Sequence, residues 1–308
     1  MFHFVLRIRC LEQFVHHSIA IKSNIMSNIQ EIVSPITEYY DGRSILITGG
    51  TGFMGKVLLE KLLRSCPGIT RIYVLIRPKK GIKPQDRLNM MLESRLFSNL
   101  KHASPEVFEK VIAVPGDITE PKLAISSQDE EMLINDVSVL FHVAATVKFD
   151  DDLADAIKMN VKGTLSIVEL AHKLNSLSSF LHLSTAYSHC YTTSTIEEKC
   201  YPMPKNEWSS YSPDELIKHY EEEKQRGIDI TKDIIGVFPN TYTFTKAMAE
   251  NVITDHASDL PVAIMRPSIV VASIKEPIPG WVDNLNGPTG ISATKLFRRN
   301  TFYKSLVT

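Results

Sequence analysis

Two short stretches hold residues whose types and spacing can do chemistry: Thr48-Gly49-Gly50-Thr51-Gly52-Phe53-Met54-Gly55 and Tyr242-Thr243-Phe244-Thr245-Lys246. In the first, glycines at 49, 52 and 55 interrupt an apolar run, Ile45 to Ile47, that resumes as Val57, Leu58, Leu59 and Leu62. Glycine alone turns freely through positive φ and lets the backbone close on a ligand without a Cβ in the way. A strand entering such a turn and a helix leaving it aim backbone N–H groups at the helix N-terminus. That geometry suits a pyrophosphate. In the second stretch, Tyr242 and Lys246 are four apart and share one helix face. A free phenol titrates near pH ~10, and a neighbouring ammonium would lower that value. Tyrosine so placed can protonate a carbonyl oxygen that receives hydride.

Other residues bear on the same chemistry. The apolar run Arg71 to Ile76 ends in Arg77, Pro78, Lys79 and Lys80, where a site for NAD would carry an acid for the ribose 2′-OH. A cation there matches a 2′-phosphate, so NADPH is the expected cofactor. Ser184 and Thr185 end a strand-like run, and Thr185 can bond the same carbonyl oxygen, with Ser184 the runner-up because a one-residue shift reverses which side chain faces the site. Asn160 falls mid-helix, where its propensity is poor and a buried amide usually holds a backbone or water network. Cys190 follows Thr185 closely, but no neighbouring base activates it as a thioester-forming nucleophile. His142, His182 and His189 lack the spacing of metal ligands, so no metal is expected.

The elements that must position these groups alternate. Strands are expected at 46–47, 71–77, 111–114, 139–144, 180–184 and 262–265, with helices near 57–64, 86–97, 153–174 and 241–257. Such alternation predicts an α/β fold with a doubly wound parallel sheet. Residues 78–110 form a long connection, and 191–235, dense in Glu and Lys, read as a polar surface excursion. The expected organisation is an N-terminal extension over 1–31, a dinucleotide-binding Rossmann domain over 32–275 containing the inserted segment 191–235, and the start of a small substrate region over 276–308. Phe4, Ile8, Leu11, Val15 and Ile19 recur at helical spacing, as in an interfacial helix or targeting segment, and Met26 opens a polar stretch that reads as an alternative start.

Composition excludes some partners. A net charge of −1 over 308 residues, with no basic block, argues against nucleic acid. No stretch reaches the roughly 18 consecutive apolar residues of a membrane span. Four cysteines without a CxxC pair point to a reducing compartment.

Together these segments resemble an extended short-chain dehydrogenase/reductase and, within that group, the insect-type alcohol-forming fatty acyl-CoA reductases. The resemblance rests on the glycine turn and its helix (TGGTGFMGKVLLEKLL), Arg77 to Gly81 (RPKKG), His142 to Phe149 (HVAATVKF), Met159-Asn160-Val161, His182 to Tyr187 (HLSTAY), Tyr242 to Lys246, and MRPSIV with KEPIPGWVDNLNGPTG after it. It runs from about residue 32 to 291, and the last block is specific to these reductases. It implies that Thr48, Gly49, Gly52, Phe53, Met54 and Gly55 hold the pyrophosphate and Arg77 the 2′-phosphate. By the same resemblance, Asp117 contacts adenine, Ala144, Ala145 and Lys148 line the ribose, and Pro267, Ser268 and Ile269 flank the nicotinamide. Thr185, Tyr242 and Lys246 would be catalytic, with Lys246 also on the nicotinamide ribose. The implied reaction is NADPH-dependent reduction of long-chain fatty acyl-CoA to the alcohol through an aldehyde, with release of coenzyme A. A sugar-nucleotide epimerase or ketone reductase would share the Tyr/Lys pair but lack the GWVDNLNGPTG block, and a dinucleotide-binding module without turnover is the alternative of another class. Family members carry a further helical region, often with a hydrophobic anchor, and localise to the endoplasmic reticulum or peroxisomal membrane facing the cytosol. This sequence ends at Leu306-Val307-Thr308 and so resembles a truncated member. The expectation is NADPH binding with poor turnover of long-chain acyl-CoA, little chain-length preference and self-association.

Overall fold

Six strands are short and mostly apolar, with the central β1 and β4 fully buried: β1 (Ser44–Thr48), β2 (Arg71–Ile76), β3 (Val111–Pro115), β4 (Val137–His142), β5 (Ser179–Leu183) and β6 (Val262–Met265). The computed structural model describes residues 34–192, 195–284 and 288–292. The strands form one wholly parallel sheet in the order β3-β2-β1-β4-β5-β6. This is the doubly wound Rossmann order, in which ligands sit at the strands' carboxyl ends where the order reverses, here between β1 and β4. Residues 40–308 make one unit; of the unit before it residues 34–39 are described, helical from Pro35. The helical pattern at Phe4 to Ile19 lies outside the described residues, as do residues 293–308.

Alternation along the strands builds two cores. Ile45, Ile47, Ile72, Val74 and Ile76 pack on one face with Leu59, Leu62 and Leu63 of the helix Phe53–Ser65. Leu46, Tyr73, Leu75 and Leu140 pack on the other with Ile167, Val168 and Leu170 of the helix Gly163–Lys173. The connection after β2 is not slack: Leu88, Met91, Leu96, Phe97 and Leu100 from its helical turns complete the first core.

The segment 191–235 differs from the expected surface excursion. It folds into the helices Pro213–Gln225 and Thr231–Ile235, whose Leu216, Ile217, Tyr220, Ile234 and Ile235 form a third core with Leu153, Ile157, Phe244 and Ala247. The charged residues seen in sequence are its outer face. A capping box starts the longer helix, Ser212 accepting from Glu215 N and Glu215 from Ser212 N. Leu216, 2% exposed, should therefore cost about 2–5 kcal/mol when cut to alanine, read as a shift in the urea midpoint. A loss below about 0.5 kcal/mol, the scale of a surface change, would return the segment to the surface.

The block from Glu276 to Asp283 lies along the helix Phe53–Ser65. Trp281 stacks on Phe53 with ring centroids 5.5 Å apart, Glu276 accepts from Lys61 at 2.6 Å and Arg64 at 2.8 Å, and Asp283 pairs with Lys56. Among the described residues no helix is long and apolar enough to cross a membrane.

Candidate active site

The glycine turn has the shape its sequence demands. Gly49 sits at φ +69°, and a Cβ on it would lie 2.6 Å from the Ala144 backbone nitrogen. A Cβ on Gly55 would fall on the Gly49 carbonyl oxygen, so the helix can approach the turn only as glycine. Gly52 is the N-cap, offers no side-chain cap, and gives its own N–H to Gly49 O at 2.9 Å. The first-turn N–H groups of Phe53, Met54 and Gly55 precede the helix's own hydrogen-bond ladder and face the carboxyl end of the sheet. This cradle fits a pyrophosphate.

The Thr48 side chain is fully buried, and Oγ1 lies 2.7 Å from His142 Nδ1 and accepts from Ala144 N at 3.3 Å. Thr164 spends its one hydroxyl proton on Asn160 O at 2.6 Å, so His142 Nε2, 3.1 Å away, donates to Thr164 and Nδ1 accepts from Thr48. His142 is thus a neutral tautomer, in keeping with burial lowering its pKa to about 3, helped by the charge of Lys246. The Thr48 side chain thus ties β1 to β4.

At the end of β2, Arg77 is half exposed, with Nη1 3.6 Å from Asp117 Oδ2. The other Asp117 oxygen caps Thr119 N and Oγ1 at 3.0 and 2.8 Å. Arg87, absent from the sequence reading, donates Nη1 to the Arg77 carbonyl, and its pKa is lowered by burial and then by the Arg77 charge. Two guanidiniums therefore converge where a 2′-phosphate is expected. Ala144 and Ala145 follow β4 at the same edge, whereas Lys148 is exposed and paired with Asp151 at 3.3 Å.

Thr185, Tyr242 and Lys246 come together. Asn240 starts the helix Thr241–His256 by accepting from Thr243 N at 2.9 Å, which places Tyr242 in the first turn and Lys246 one turn on. The Thr185 hydroxyl lies beside the Tyr242 phenol, close enough to lower its pKa. Ser184 instead gives its hydroxyl to Glu250. Lys246, 2% exposed, donates to Leu183 O at 2.6 Å. Burial lowers its pKa to about 8, against the attraction of Glu250. The expectation that Lys246 depresses the phenol's pKa is not met. Burial pushes Tyr242 up, offset in part by the Thr185 hydroxyl.

Asn160 behaves as its sequence position implied. It is buried in a π-turn (Lys158–Lys162), where Oδ1 accepts from Thr146 N at 2.9 Å and Nδ2 donates to Thr146 O and Thr245 Oγ1. Pro267 accepts from Ala186 N at 2.9 Å, and Ser268 Oγ lies 3.4 Å from Tyr187 Oη, so the 267–269 wall stands beside Thr185. Phe149 stacks on Tyr242 at 5.9 Å, and Val147, Met265, Ile269 and Val270 are exposed on the same strand ends. Cys190 and Cys200 are exposed free thiols and Cys66 a buried one. Among the described residues no His/Cys/Asp/Glu cluster could hold a metal.

A model of an NAD-binding family described as male sterility protein matches residues 47–303. The chain belongs to this family. It is 48% identical over 257 residues to fatty acyl-CoA reductase 1 of Mus musculus, covering 83% of this chain and 48% of that protein. Fatty acyl-CoA reductase 2 of Bos taurus is 44% identical over 271 residues, with 87% and 51% covered. The chain thus spans about half the length of these relatives. In fold it is similar to the terminal R domain of the myxalamid PKS-NRPS pathway, with TM-score 0.58, 24% identity, and 79% of this chain and 52% of that one covered. The thiolation-reductase di-domain of an archaeal non-ribosomal peptide synthetase aligns with TM-score 0.55 at 20% identity, over 84% and 60% of the two chains. Male sterility family membership accounts for the glycine cradle, since the family is one that binds NAD-type dinucleotides.

Proposed function

We propose that this protein reduces long-chain fatty acyl-CoA with NADPH, through the aldehyde to the alcohol, releasing coenzyme A. The observation that carries the reading is the placement of the Thr185 hydroxyl beside the Tyr242 phenol, with Lys246 buried one turn along and Ser184 bonded to Glu250 instead. A nicotinamide dinucleotide held by the glycine turn would supply the hydride. Tyr187 N–H donates to Thr185 Oγ1 at 3.3 Å, which leaves the Thr185 hydroxyl proton for the phenol oxygen beside it. The Tyr242 proton is then left for the substrate's carbonyl oxygen. Because burial raises its pKa, the phenol stays protonated at neutral pH and acts as donor. Lys246 spends one of its three donors on Leu183 O and keeps others for ribose hydroxyls. The apolar rim of Phe149, Val147, Met265 and Ile269 suits a hydrocarbon chain better than a sugar, and the relatives' names agree with that substrate.

The paired Arg77 and Arg87 favour NADPH over NADH. A charge-assisted contact is worth about 1.5–3 kcal/mol, or roughly ten- to a hundredfold in affinity. Arg77→Ala should weaken NADPH by that factor and leave NADH nearly unchanged in fluorescence titrations. Equal losses for both would move the 2′-phosphate contact to Lys79 or Lys80. Turnover of hexadecanoyl-CoA with NADPH, followed by product analysis, tests the reading as a whole.

A further inference from the structure

The helix Thr241–His256 presents Tyr242, Lys246 and Glu250 on successive turns, and the third has no part in the reaction above. Its side chain is fully buried, where a carboxylate is costly unless densely bonded. It accepts from Ser184 Oγ, from Ser188 Oγ at 2.9 Å, from His189 Nε2 at 2.8 Å, and from Arg266 Nε and Nη2 at 2.9 and 2.6 Å. These donors come from two loops. Ser184, Ser188 and His189 bracket Thr185 after β5, and Arg266 opens the Pro267–Ile269 wall after β6. The backbone bonds Ser184 N to Met265 O at 2.7 Å and Ala186 N to Pro267 O at 2.9 Å join the same loops. Arg266 Nη2 also donates to Lys199 O at 2.8 Å, reaching the segment 191–235.

Stability alone does not account for such a group, because buried ion pairs often do no better than apolar residues of equal volume. Geometry does. Thr185 must sit within hydrogen-bond reach of the phenol, and a displacement of about 1 Å in such a site costs on the order of a hundredfold in rate. We propose that Glu250 is a positioning residue, whose carboxylate fixes the β5 and β6 loops and thereby Thr185 against Tyr242. The inference rests on the reading of Thr185 and Tyr242 as the proton-donating pair.

The test pairs amide hydrogen exchange with kinetics for Glu250→Gln. Exchange over 184–189 and 266–269 should speed by about tenfold or more while β1 and the glycine turn keep their protection. Turnover of hexadecanoyl-CoA should fall by about tenfold or more, with NADPH affinity within about twofold of wild type. Ser188→Ala, which removes the one hydroxyl shared between Glu250 Oε1 at 2.9 Å and Thr185 O at 3.0 Å, should loosen 184–189 alone and serves if Glu250→Gln does not fold. Unchanged or uniformly raised exchange would overturn the proposal, as would full turnover with loosened loops. A wild type that oxidises no NADPH with acyl-CoA would sink the reductase reading, while the exchange data still judge Glu250.

Discussion

Tyr242→Phe should cut acyl-CoA turnover by about 10²-fold or more and leave NADPH affinity near wild type. The phenol is the last member of the chain from Tyr187 N–H through Thr185, and the substitution removes only its oxygen. The ring stays stacked on Phe149, so packing is preserved. Steady-state kinetics beside a fluorescence titration separate the two quantities. Normal turnover in the variant would remove Tyr242 from the chemistry. A proportional loss of NADPH affinity would make it a binding residue instead.

Gly55→Ala should all but abolish dinucleotide binding. The added Cβ falls on the Gly49 carbonyl oxygen and 2.6 Å from Gly50 Cα, so backbone must move rather than a flexible side chain. Overpacking of this kind costs about 1–3 kcal/mol, and the shift turns the first-turn N–H groups away from the phosphates. Affinity for NADPH should drop by roughly a hundredfold, about 2.7 kcal/mol, with a lower melting temperature. Wild-type affinity in a folded variant would place the pyrophosphate elsewhere.

The parts of the site read from sequence are those with a local signature. Three glycines between a strand and a helix, and Tyr and Lys one turn apart, fix their geometry by backbone rules alone. Ser184 stays a runner-up to Thr185 in the sequence because strand alternation gives faces but not phase, and the partner that takes up the Ser184 hydroxyl, Glu250, is 66 residues away. Glu250 itself reads as a solvated helix charge until Arg266 and His189 are seen against it. Its spacing of four from Lys246 was the available signal. Arg87 escaped notice because a helix begins between it and Arg77. The family resemblance assigns Thr48 to the pyrophosphate, while its hydroxyl is bonded to His142 across the sheet. In 191–235 the Glu and Lys density concealed Leu216, Ile217, Ile234 and Ile235, although Ser212 and Glu215 spelled out a helix start.

The most direct measurement is product and stoichiometry analysis of the protein incubated with NADPH and hexadecanoyl-CoA. The account predicts hexadecanol, free coenzyme A, and about two NADPH oxidised per coenzyme A released, all abolished by Tyr242→Phe. NADPH bound tightly but never oxidised by any acyl-CoA, or isomerisation of a sugar nucleotide with no net oxidation, would contradict it.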